Sequence, residues 1–271
     1  MATVSALTYY PIKGCAGVSV DRSDVTRTGL THDRSFLVVH PDGLFLSQRR
    51  VPRLAVIRAH VLHQGTKLAL AAPGVGDVVL DVRPDGPERP VTVHKWDGVG
   101  IDQGDDAAGW ISEVLGMSVR LMRAPDGLIR EGSGAEPGQI RYSDSTALLV
   151  TSLSSLDGLN ARLLEKGADP VPMNRFRPNI VVTGWPEPHT EDRVRSMTIG
   201  TARIAYGKRD IRCVVTTVDQ LAGHRAGPEP LRTLADYRRE PDGGVSFGMK
   251  AAVLGTGQLF VGDQVVVNEW L

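Results

Sequence analysis

The stretch Arg212-Cys213-Val214-Val215-Thr216-Thr217-Val218-Asp219 places a cysteine directly after a basic run, Lys208, Arg209 and Arg212, at the head of an apolar segment. Neighbouring cations favour the thiolate, the form that acts as nucleophile and soft-metal ligand. The alternative is a buried, inert cysteine entering a β-strand, since free cysteine is among the most often buried residue types. In Asn174-Arg175-Phe176-Arg177-Pro178-Asn179-Ile180, two arginines and two asparagines precede a strand. Such a cluster either grips an anion through forked hydrogen bonds or is a solvated strand start. Tyr142-Ser143-Asp144-Ser145-Thr146 offers turn N–H donors and one carboxylate for acid–base work, or ordinary turn chemistry. Nearer the N-terminus, Tyr10-Pro11-Ile12-Lys13-Gly14-Cys15 sets a lysine in a glycine-containing turn, and His32-Asp33-Arg34 leads into a strand. Lys13 and Arg34 are suited to clamping phosphate, or to simple solvation.

Bringing these segments together takes many short elements. Thirty glycines and 17 prolines in 271 residues predict abundant turns. Apolar patterning predicts strands at 6–11, 35–40, 44–48, 54–62, 67–71, 78–82, 91–96, 99–102, 119–122, 147–151, 179–183, 196–199, 203–206, 214–218, 247–254 and 258–267. Pro41-Asp42-Gly43 and Asp97-Gly98 predict hairpin turns. Helices are expected at 106–115, capped by Asp105 or Asp106 and stopped by Gly116; from Leu153 to about Lys166, where Leu153, Leu156, Leu159 and Leu163 recur at helical spacing and Gly167 follows; and at 230–239. Residues 124–139, rich in Gly, Pro and charge, read as a linker or mobile loop. The fold class is a β-rich α+β structure in two halves, 1–122 and 140–271.

Basic and acidic residues balance at 31 each, for a formal charge of 0. No global basic field exists to drive nucleic-acid or membrane binding. Only six of the basic residues are lysines, and arginine's rigid donor fork suits phosphate and carboxylate, although such a skew also follows from genome composition. The N-terminus has no secretory pattern and no apolar run spans a bilayer, so a soluble, cytoplasmic protein is expected. Two cysteines, Cys15 and Cys213, exclude a disulfide framework. Walker, dinucleotide-binding, H-E-x-x-H and G-x-S-x-G motifs are absent. Of the histidines, only His60 and His63 lie close, and on a strand they face opposite ways, so zinc chemistry is poorly supported.

Taken in order, Pro11-Ile12-Lys13-Gly14-Cys15-Ala16-Gly17-Val18, Gly29-Leu30-x-x-Asp33-Arg34, Tyr142-Ser143-Asp144, Phe176-Arg177-Pro178-Asn179-Ile180 and Arg212-Cys213-x-x-Thr216-Thr217-Val218-Asp219 resemble MOSC-domain proteins that carry a MOSC N-terminal β-barrel domain, among them the mitochondrial amidoxime-reducing component and its bacterial counterparts. The likeness runs from about Ala6 to Val267. It implies a MOSC N-terminal β-barrel-like domain, a MOSC β-barrel domain with a few helices, and a molybdenum–molybdopterin cofactor between them. Cys213 matches the metal-ligating cysteine. Lys13, Gly14 and Arg34 match positions that hold the pterin cofactor. Asp144, Ser145 and Thr146 match a cofactor-contacting turn whose carboxylate lies near the metal, so Cys213 and Asp144 become the expected catalytic residues. Arg177, Asn179 and Arg212 match further cofactor contacts. The chain departs from the family at Gly14, where relatives often have serine, and at Asp219-Gln220-Leu221, where they often read Asp-Pro-Asp.

The implied reaction is reduction of a small N-hydroxylated substrate, an amidoxime or hydroxylamine. Some bacterial relatives continue into an iron–sulfur domain; two cysteines cannot ligate such a cluster. A separate electron donor is therefore expected, a ferredoxin, flavodoxin or cytochrome with its reductase. Other MOSC proteins are thought to carry sulfur or cofactor, and a Cys213 persulfide fits that alternative. A catalytically dead β-barrel scaffold is the third reading.

Overall fold

The computed structural model describes all 271 residues. An eight-stranded sheet runs in the order Val265–Trp270, Val194–Ile199, Ala202–Arg212, Val245–Gly255, Leu148–Ser152, Ile180–Thr183, Thr3–Tyr9 and Val18–Val20. Neighbours are antiparallel except Leu148–Ser152 and Ile180–Thr183, which run parallel with a helix (Leu153–Glu165) in their connection. A five-stranded sheet follows the order Glu88–Val93, Trp96–Asp102, Arg120–Arg123, Phe36–Val39 and Ile12–Lys13. A meander of Arg58–Leu62, Lys67–Ala72 and Val75–Asp81 covers the same core. The β-rich α+β class expected from turn density holds.

Helix α1 (Asp105–Leu115) buries Ala107, Ala108, Trp110, Ile111 and Val114 and stops at Gly116 in the left-handed conformation. Its cap is not Asp105 or Asp106 as expected. Gly104 occupies that position and donates its N–H to Asp102 Oδ1 at 2.9 Å. The two aspartates fall in the first turn, where they complement the helix dipole. Helix α2 (Leu153–Glu165) is capped by Ser152, whose hydroxyl accepts from the Ser155 N–H. Helix α3 (Leu231–Tyr237) begins directly after Pro230. None of the helices is long and apolar enough to cross a membrane.

Strand membership does not follow chain order. Thr3–Tyr9 pairs with Ile180–Thr183, and Arg22–Thr26 pairs with Gly257–Phe260. One core cluster accordingly joins Val4, Leu7, Val25 and Leu30 to Val150, Ile180, Met197, Met249 and Leu259. A second gathers Ile12, Phe36, Leu46, Leu54 and Leu70 with Trp110 and Ile111.

Further expectations are corrected. Residues 44–48 make isolated bridges, not a strand, although the Pro41-Asp42-Gly43 turn closes as expected, with His40 donating to the Leu44 carbonyl at 2.9 Å. The first part of 54–62 is a 3-10 turn, Pro52–Val56, entered through its proline. The Asp97-Gly98 signal lies inside a strand: Val93 pairs with Trp96, so His94 and Lys95 make the turn. Residues 214–218 are mostly a 3-10 turn, Val214–Thr217. The segment 124–139 carries a short ladder, Arg130–Glu131 against Gln139–Ile140.

Candidate functional site

Cys213 follows the last residue of the long strand Ala202–Arg212, in extended conformation at the head of the 3-10 turn. The turn forms because its threonines bond back to their own backbone. Thr216 donates both N–H and hydroxyl to the Cys213 carbonyl, each at 3.0 Å, and Thr217 donates to the Val214 carbonyl at 2.8 Å. Cys213 is thereby half-buried on a cavity wall, while Cys15 is fully buried and its thiol is pushed up to about 12 by burial. Cys15 is the inert cysteine of the pair.

All ten residues singled out from sequence line this one cavity: Lys13, Gly14, Arg34, Asp144, Ser145, Thr146, Arg177, Asn179, Arg212 and Cys213. Sequence reasoning missed Arg49, His94, Asp210 and Lys250, which line it too. No local motif announced them. They arrive from a loop, a hairpin turn and two central strands that only the fold brings together.

Lys13 and His94 both meet Asp144 Oδ1, His94 through Nε2 at 3.0 Å. Half of the Asp144 side chain opens to the cavity, while Lys13 is buried. Burial opposes the Asp144 charge, but Lys13 and His94 outweigh it and hold the carboxyl well below its usual range. Arg34 and Arg177 both adopt left-handed backbone and lie over the Tyr10 ring, 4.8 and 4.3 Å from its centroid. Arg34 also pairs with Asp33 and reaches Asn179 Oδ1 at 3.3 Å. The Asn179 amide is committed to backbone at both ends, to Thr8 O and Leu149 N, each at 3.1 Å. It ties the N-terminal strand to the strand following the Asp144 turn. Thr146 donates its hydroxyl to the Leu148 carbonyl at 3.2 Å. Gly14 has φ of +85°, a conformation that suits glycine, and its carbonyl accepts from Gln48 Nε2 at 2.7 Å.

Asp210 binds Arg212 and, at 3.0 Å, Lys250. Arg212 donates to the Phe176 carbonyl at 2.8 Å, and burial pushes its guanidinium down to about 10. Burial likewise lowers Lys13, Arg177 and Lys250. Six basic side chains line the cavity (Lys13, Arg34, Arg49, Arg177, Arg212 and Lys250) against two carboxylates, Asp144 and Asp210. Two buried polar atoms there, Arg212 Nε and Ser145 Oγ, have no hydrogen-bond partner in the protein. Such atoms call for one, because leaving them unpaired costs about 1–3 kcal/mol each. The cavity therefore suits a polyanionic ligand that accepts hydrogen bonds and presents an atom to a soft sulfur.

Residues 1–118 match the family described as MOSC N-terminal beta barrel domain, and residues 137–266 match the MOSC domain. Mitochondrial amidoxime-reducing component 1 of Mus musculus is 35% identical over 251 residues, covering 88% of this chain and 72% of the mouse protein. Mitochondrial amidoxime reducing component 2 of Bos taurus is 33% identical over 285 residues, covering 98% of this chain and 83% of the bovine one. Molybdenum cofactor sulfurase of Oryza sativa subsp. japonica is 29% identical over 289 residues, covering 99% of this chain but 34% of the rice protein.

Proposed function

This chain belongs to the family of MOSC-domain proteins with a MOSC N-terminal β-barrel domain, and on that premise we propose that it binds a molybdenum–molybdopterin cofactor and reduces N-hydroxylated compounds. The observation that carries the reading is the pairing of the Cys213 thiol with a cavity holding six basic groups and two unpartnered buried polar atoms. No group of three His, Cys, Asp or Glu side chains forms a metal site. A metal that brings its own dithiolene sulfurs and adds one cysteine asks for no such group.

When bound, the cofactor supplies two-electron redox chemistry with oxygen transfer at molybdenum. Cys213 would ligate the metal. Arg34, Arg177, Arg212 and Lys250, which line the cavity, would hold the phosphate and pterin, helped by Ser145 and the Gly14 backbone. The two halves, 1–122 and 140–271, both supply cavity residues. Lys13 and Arg34 come from the first, and Asp144, Arg177 and Cys213 from the second. An amidoxime takes two electrons and two protons and leaves as an amidine and water. Asp144 stays ionised at neutral pH, so it acts as acceptor and counter-charge, and the protons held against it are those on Lys13 and His94. His94, a third exposed, is the group placed to pass a proton between solvent and cavity. Electrons come from a separate protein, a ferredoxin, flavodoxin or cytochrome with its reductase.

The test is benzamidoxime reduction by the cofactor-loaded protein with reduced benzyl viologen as donor. Benzamidine should form with stoichiometric molybdenum present, and Cys213→Ala should lose both metal and turnover. Full molybdenum loading without benzamidine would retire the activity. Metal-free protein with labile sulfur on Cys213, from a host that makes the cofactor, would replace it with the sulfur-carrier reading that the rice relative's name suggests.

A further inference from the structure

Arg49 stands outside every motif from which the site was assembled, yet its Nε–H donates to Cys213 Sγ at 3.4 Å. Its main chain is fixed from both sides by contacts that do not involve its own side chain. On one side, Gln48 is buried and its amide pairs reciprocally with Gln220 at 3.1 and 2.9 Å. Gln48 also donates to the Gly14 carbonyl, and Gln220 accepts from Arg177 at 3.1 Å. On the other side, Arg225 donates to the Arg49 carbonyl at 2.8 Å. The donor from the first half is thus registered on the thiol of the second half before any ligand enters.

We propose that Arg49 is a positioning residue for the metal-binding sulfur: it points Cys213 Sγ into the cavity and, by donating to it, sets how strongly that sulfur donates to a soft metal. Outer hydrogen bonds orient metal ligands, and hydrogen bonds to ligating sulfur are among the protein's levers on metal potential. The inference rests on the reading of Cys213 as a metal ligand, and its test separates the two.

The first arm needs no metal. The full chain, made in a host without cofactor biosynthesis, is labelled at Cys213 with iodoacetate and, separately, with iodoacetamide; Cys15 is fully buried and stays silent. A guanidinium at the sulfur favours the anionic reagent, and the ratio of the two rates cancels differences in access and thiolate fraction. Arg49→Met should lower that ratio several-fold, Arg49→Lys should retain part of it, and Arg50→Met, at the exposed neighbouring position, should leave it unchanged. An unchanged ratio in Arg49→Met overturns the proposal. The second arm uses cofactor-loaded protein. In Arg49→Met the thiolate-to-metal charge-transfer band should move to lower energy and the molybdenum midpoint potential should fall, with Arg49→Lys returning both toward wild type. Neither moving at wild-type molybdenum content also overturns it. Wild-type protein that takes up no molybdenum defeats the cofactor reading alone, and the labelling ratio still decides the role of Arg49.

Discussion

Asp144 stands between a buried lysine and a histidine at the cavity mouth, and its charge is what allows Lys13 to be buried. Replacing it with asparagine leaves the ammonium without a counter-charge. Breaking a fully buried pair costs about 3–5 kcal/mol; because half of Asp144 faces the open cavity, we expect about 1–2 kcal/mol for Asp144→Asn. The folded-state carboxyl titrates below its unfolded value, so its contribution is complete above the unfolded pKa and is lost as pH falls through the folded one. The difference in Tm between wild type and Asp144→Asn should be full above about pH 4 and should close in stronger acid. A gap that does not begin to narrow below about pH 4 would count against Asp144 as the counter-charge. At this scale the candidate site was legible in company and not singly: Lys13, Arg34, Asp144, Arg177 and Cys213 sit in stretches that each admit a bland reading, and their order along the chain resembles MOSC-domain proteins. Arg49, His94, Asp210 and Lys250 were not legible, since a single polar residue in a loop or strand carries no sign of what it will face.

The hairpin from Glu88–Val93 to Trp96–Asp102 shows how a local signal is overruled. Asp-Gly usually makes a two-residue turn. Here Asp97 takes a cross-strand bond from the Thr92 hydroxyl at 2.7 Å, and the Trp96 indole folds over Gly98 where a Cβ would stand. The turn moves to His94 and Lys95, with His94 in left-handed conformation, which puts its ring against Asp144. Trp96 is also held by Arg130, 4.5 Å above its ring, and packs against Tyr142, two residues before Asp144. Gly98→Ala should displace the indole and disturb that wall, lowering stability by about 1–3 kcal/mol in urea unfolding. It should also weaken retention of a molybdenum cofactor on gel filtration, although residue 98 is not among the cavity-lining residues. Wild-type stability and retention would mean that Trp96 does not brace the site. The turn after Cys213 carries the same lesson. Val214-Val215-Thr216-Thr217 has strand composition, but the threonine hydroxyls donate to the Cys213 and Val214 carbonyls three residues back and close a 3-10 turn. β-Branched residues report preference for a strand, and only the fold reports whether a neighbouring strand exists to pair with.

At the scale of the whole molecule, the chain enters the eight-stranded sheet at Thr3–Tyr9 and is in the five-stranded sheet by Ile12–Lys13. Two residues, Tyr10 and Pro11, separate the strands. Hydrophobic patterning named a strand at 6–11 but neither Ile12–Lys13, which read as a turn, nor any partner, because the pairing of residues 3–9 with 180–183 spans most of the sequence. Leu7 is 1% exposed in the core cluster that also holds Ile180 and Met249. Leu7→Ala should therefore cost about 2–5 kcal/mol, from a position near the chain terminus where substitutions are often tolerated. The loss should be global. Far-UV circular dichroism and tryptophan fluorescence, which reports Trp110 in one core and Trp185 in the other, should fall together at one lowered urea midpoint. Two separated transitions, with only one displaced by Leu7→Ala, would show that the two cores unfold independently. A single displaced transition means that both cores, and the cavity whose walls they carry, unfold as one cooperative unit. In that case Lys13 and Arg34 reach the Cys213 cavity because the strands that precede them, Thr3–Tyr9 and Arg22–Thr26, pair with Ile180–Thr183 and Gly257–Phe260.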